Sequence, residues 1–183
     1  MPQKEYIIPY REDVRKRHYH ETAKGKVLRF MVQLEVKIER EWREVVRYDC
    51  AHNYAHRDSY HLQGAHRKAD LNLGFSLTKI SMTTGKFIRA AFGRGASMNV
   101  MERKNTELIK EFNVYIREHP EFADNIPNES IVIMQLEGDE EFNKWSHELT
   151  EAHKGESRPI VYVKIKKIRP VRSRIEELEL CAV

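Results

Sequence analysis

Cysteine, glycine and long apolar runs are all scarce in this chain, and each shortage closes a route. Its two cysteines, Cys50 and Cys181, provide neither a disulfide framework nor a Cys-x-x-Cys pair for zinc. No stretch approaches the roughly 20 apolar residues that span a bilayer, and the opening MPQKEYIIPYRED has no signal-peptide core. A soluble cytoplasmic protein with no membrane partner is expected. Of the eight glycines, Gly74, Gly85, Gly93 and Gly95 crowd between Leu71 and Ser97. Each costs a helix about 1 kcal/mol relative to alanine, so this stretch reads as a linker or join with short structured pieces.

Charge, by contrast, is abundant and uneven. Over 183 residues, 40% are apolar, enough for a packed core, and 33% are charged. Residues 1–100 hold 19 Lys and Arg against 11 Asp and Glu, a balance of +8; residues 101–183 hold 13 against 17, a balance of −4. A basic half beside an acidic one fits a nucleic-acid-binding unit with an acidic neighbour, or simply two dissimilar units. Six of the nine histidines (His18, His20, His52, His56, His61, His66) lie on the basic side.

Periodicity separates the elements. Val27–Glu39 alternates, with Leu28, Phe30, Val32, Leu34, Val36 and Ile38 on one face. A turn at Arg40-Glu41 leads into WREVVRYDC, so the two form an antiparallel hairpin, and HRDSYHL is a weaker third strand. Arg11–Lys26 is too charged for core and reads as an arm or a short helix ending before Gly25. From Met101 to Pro120 an amphipathic helix buries Leu108, Ile109, Phe112, Tyr115 and Ile116. A strand Ser130–Leu136 follows. The next helix is capped by Asp139 and buries Phe142, Trp145, Leu149 and Ala152, and a strand at Pro159–Lys167 completes a βαβ unit with two parallel strands. The fold class is α+β: an antiparallel hairpin-based sheet, then an α-β-α-β unit. The units are residues 1–70, basic and histidine-rich; a join at 71–100; and the acidic 101–183. Two parallel strands are thin alone, so the second unit must lean on the first unit's sheet or on another copy of the chain.

The chemistry concentrates in RYDCAHNYAHRDSYHLQGAH, Arg47 to His66. On one strand His56 and Asp58 project to the same face and His61 to the other, which argues against one compact site built from every histidine. Metal-independent RNA cleavage needs a base, an acid and a phosphate-binding cation. His52, His56 and Asp58 are the candidate acid–base residues, with Arg47, Arg57 and Tyr48 as RNA or phosphate ligands. A histidine metal site completed by Asp49 or Asp58 is an alternative, and so is a purely structural segment in a non-enzymatic, oligomerising module. No metal or other cofactor is assigned. The expected partners are RNA and further copies of the chain, paired through sheet or helix packing.

Two resemblances follow from these residues. Residues 27–64, with FMVQLEVKIEREWREVVRYDCAHNYAHRDSYHLQG, resemble an uncharacterised prokaryotic family. Their Arg-Tyr-Asp followed by histidines also looks like the core of TumE-type toxins of toxin–antitoxin pairs. Residues 101–180, with ELIKEFNVYIREHPEFADNIP and RPIVYVKIKKIRPVRSRIEELEL, resemble a second uncharacterised family. Together they imply a fusion of two adjacent small proteins, with the second beginning near Met98 or Met101. In a toxin–antitoxin-like chain of this kind, an RNA-binding or RNA-cleaving first half would be masked by the acidic second half. Shifted by one base, a back-translation of Met82–Ile88 can read Asn-Asp-Asn-Trp-Glu-Ile-Tyr, the kind of string the first family carries there, which makes residues near 74–100 the expected out-of-frame join.

Overall fold

A computed structural model describes residues 3–23, 26–50, 56–60, 66–70 and 98–169, together with 177 and 179. Of the expected join at 71–100, residues 71–97, including Met82–Ile88, lie outside these residues. Six strands come first: β1 (Gln3–Arg11), β2 (Val14–Ala23), β3 (Lys26–Ile38), β4 (Glu41–Asp49), β5 (His56–Tyr60) and β6 (His66–Asp70). Then follow α1 (Val100–Glu118), α2 (Pro120–Asp124), β7 (Ser130–Leu136), α3 (Glu140–His153), a 3-10 turn (Lys154–Glu156) and β8 (Ile160–Ile165). The fold is α+β. One eight-stranded sheet runs β6-β5-β4-β3-β2-β1-β7-β8. The first six strands pair antiparallel in sequence order, whereas β7 joins β1, and β8 joins β7, in parallel. No helix among the described residues is long and apolar enough to cross a membrane.

Residues opposite one another in register share a face of the sheet. One row runs Tyr6, His18, Val32, Tyr48, Arg57; the next, on the other face, runs Ile7, Arg17, Gln33, Arg47, Asp58. The first face receives α1. Leu108, Ile109, Phe112 and Ile116 enter the core with Tyr6, Ile8, Val32, Leu34 and Val46. Asn105 donates to the carbonyls of Pro9 (3.1 Å) and Tyr10 (3.0 Å), where the β1 register shifts. The helix begins in a capping box between Asn99 and Glu102. Tyr115, expected in the buried stripe, is 47% exposed. The second face takes α3, whose Thr150 accepts from Tyr162 at 3.1 Å and whose His147 bonds Gln135 at 3.1 Å. Asp139 caps α3 as expected, accepting from the Phe142 amide, but His153 rather than Ala152 ends the buried stripe.

The segment expected as an arm or helix is instead β2, an interior strand of the described sheet with three strands on its β1 side and four on the other, and most of its charge is buried. Partners across the strands explain why. Arg15 meets Glu35 at 2.5 Å, and Arg17 reaches Glu35 (2.9 Å) and Glu5 (2.6 Å). Hydropathy weighs each charge singly and misses this cross-strand neutralisation. On its other face β2 places Lys16, His18 and His20 beneath the second half, with the His18 ring stacked on Tyr6 at 4.8 Å and bonded to His20 at 3.0 Å. Burial pushes the Lys16 ammonium down to about 7 and lowers both imidazoles. The β3–β4 turn sits at Glu39 and Arg40, one residue earlier than expected, and both residues have positive φ (50° and 73°).

Candidate functional site

The antiparallel pairing of β4 with β5 sets Asp49 opposite His56 and Arg47 opposite Asp58, so all four occupy the second face. β6 adds His66, opposite Tyr60 and stacked on its ring at 4.8 Å. The site therefore draws on three consecutive strands, a scaffold more rigid than a loop.

His56 lies between two carboxylates. Its Nε2 is 3.1 Å from Asp49 Oδ1 and 3.3 Å from Asp58 Oδ2. The second oxygen of Asp58, Oδ1, is 3.0 Å from His66 Nε2. Exposure then divides the labour: the His56 and Asp58 side chains are only 3% and 10% exposed, whereas that of His66 is 49% exposed. A buried imidazole holds its neighbours, and a half-exposed one can meet a substrate. Arg47 borders the group, its Nε 3.8 Å from Asp49 and 3.9 Å from Glu44, with over a third of the side chain open to solvent. Burial raises the Glu44 carboxyl, a shift that Arg47 opposes. Burial also raises the Tyr60 phenol, helped by the negative charge of Glu44 and Asp58.

Of the residues singled out in the sequence, the fold brings His56, Asp58 and Arg47 together. Arg57 and Tyr48 pair with each other on the opposite face, where Tyr48 is 1% exposed and burial pushes its hydroxyl up to about 12. They do not join the His56 cluster. His52 lies outside the described residues. Asp49 and His66 complete the cluster instead. Cross-strand register within the hairpin signals Asp49, but His66 depends on a sixth strand that HRKAD announces only faintly.

The second half meets this face elsewhere. Glu156 pairs with Arg15 and accepts from the Trp42 indole at 3.1 Å, and His153 stacks on Trp42 at 5.6 Å. Trp42 stands near the start of β4 and Asp49 at its end, about 24 Å apart at the rise of a strand.

Two family models match the chain, one on each side. Residues 1–81 match a domain of unknown function (DUF7718), and residues 100–178 match a family of unknown function (DUF5647). On each side, then, the chain is similar to a family of unknown function, over separate stretches. Neither description names a toxin, an enzyme or an RNA. No curated protein and no solved structure matches it. The matches leave 82–99 between them, and the sheet crosses that seam, since β1 falls in the first match and β7 in the second.

Proposed function

We propose that the first half binds and cleaves RNA within a toxin–antitoxin-like chain. The observation that carries this reading is the Asp58–His66 pair, a buried carboxylate orienting a half-exposed imidazole beside Arg47. With its Nε2–H donated to Asp58, His66 keeps Nδ1 as the acceptor for a proton. The ring takes the proton of a ribose 2′-hydroxyl, whose oxygen attacks the adjacent phosphorus. The bond from phosphorus to the 5′ oxygen breaks, leaving a 2′,3′-cyclic phosphate, and an acid protonates the departing oxygen. His52 is the histidine the sequence offers for that last role, and Arg47 offsets charge on the phosphate. His56 holds Asp49 and Asp58 in place. The +8 balance of residues 1–100 supports attraction to a polyanion.

The test is incubation of the purified full chain with a labelled single-stranded RNA, with product ends identified by mass. Cyclic phosphate ends that vanish in His66→Ala support the reading. Intact RNA at every protein concentration, or full activity in His66→Ala, overturns it. A second reading, a non-enzymatic module that oligomerises, draws on the end strand β8, where Tyr162 is 39% exposed. Self-association without RNA cleavage would favour it.

A further inference from the structure

We infer that Asp49, His56 and Asp58 form a binding site for a divalent transition-metal cation. One ligand atom from each residue lies within 4.8 Å of the other two, and two of the three residues are buried. The imidazole nitrogen is 3.1 Å and 3.3 Å from the two carboxylate oxygens. These are the separations of neighbouring ligands around an ion bound at about 2.0–2.2 Å. A single N–H at Nε2 serves two carboxylate oxygens poorly, because its hydrogen points along one line. A cation at their common centre serves both and offsets the repulsion between two carboxylates drawn together in a low-dielectric place.

The ligand set points to a chemical class. Two carboxylate oxygens and one imidazole nitrogen suit Mn2+, Fe2+ or Zn2+ better than Mg2+, which favours oxygen alone. The ligands come from the adjacent, paired strands β4 and β5, so their spacing is fixed by backbone hydrogen bonds. Asp58 has an oxygen to spare: Oδ2 faces the cation position while Oδ1 holds His66. A single carboxylate thus ties the ion to the half-exposed ring, as outer partners orient groups around a metal. This site shares residues with the RNA reading but does not rest on it, and its test needs no RNA.

The test uses the metal-stripped full chain titrated with Mn2+ and Zn2+, read by calorimetry and by loss of the free Mn2+ spin-resonance signal. One ion binds per chain, and Asp49→Asn and Asp58→Asn each weaken binding by about 100-fold or more. Glu137→Gln, an exposed carboxylate on the far side of the sheet order, leaves it unchanged. A spin-echo measurement on wild-type Mn2+ protein shows one coordinated imidazole nitrogen, a readout independent of whether the variants fold. Absence of binding at millimolar metal overturns the site, as does wild-type affinity in both aspartate variants or an echo without nitrogen. Binding without RNA cleavage refutes only the RNA reading; cleavage that continues in a chain shown to bind no ion refutes only the metal site.

Discussion

Asp58 Oδ1 and His66 Nε2 lie 3.0 Å apart, the carboxylate buried and the ring half-exposed. Asp58→Asn keeps the size of the side chain but replaces an acceptor-only carboxylate with an amide. Cleavage of a short RNA should fall by about 100-fold or more, as when a general base loses its orienting partner. Initial rates of the purified variant, with its circular dichroism unchanged, check this.

Stability should depend on pH through the buried cluster under α1. Burial lowers His18 and His20 from the ordinary 6.5, so below that value the unfolded chain takes up protons that the fold refuses. Stability should therefore drop as pH falls below 6.5. Lys16, lowered by burial from 10.5 to about 7, acts in a second window. Between these values the unfolded chain keeps a proton that the fold sheds, so stability rises with pH. Urea midpoints at pH 5, 7 and 9 should climb, and Lys16→Met should flatten the step from 7 to 9 while leaving the acid loss.

The ion pair of Arg15 with Glu35 is buried on both sides, at 4% and 5% exposure. Glu35→Ala leaves a buried guanidinium with less compensation and should cost about 3 kcal/mol, the low end for a broken buried pair because Glu156 still faces Arg15. Replacing both partners, Arg15→Met with Glu35→Leu, should recover most of the loss in chemical denaturation.

Arg40 turns the β3–β4 hairpin at φ 73°, a left-handed conformation unfavourable to any residue with a Cβ. Arg40→Gly should stabilise the chain by about 1 kcal/mol, seen as a higher melting temperature. A lower one would mean that the arginine side chain contributes more than its backbone strain costs.

Much of the architecture was legible in the residues. Ser130–Leu136 is a strand with the expected bounds, Asp139 caps the following helix, and β7 and β8 are parallel. These segments carry clean periods and strong caps. Gln3–Ala23 was not legible, because Arg15, Lys16 and Arg17 look soluble until Glu35, Asn113 and Glu5 are placed beside them, and those partners are distant in sequence. The site divides the same way. Alternation along one strand unites His56 with Asp58 and, by the same parity, sends Arg57 to the opposite face. Adding Asp49 needs the register between two strands, and adding His66 needs a third, so each step further from local pattern was harder to read.

The seam between β1 and β7 bears on how such a chain is put together. Without β7, the outer edge of β1 would be an unpaired row of N–H and C=O groups, a template for strands from other molecules. Here the Glu129 amide bonds the Glu5 carbonyl at 2.8 Å, and the Lys4 ammonium reaches the carbonyls of Asp124 and Ile126. Covalent linkage turns that strand addition into a unimolecular event, with an effective concentration on the order of millimolar. Dilution cannot part the two halves, so the edge of β1 stays covered by β7 and is not offered to the crowd around it.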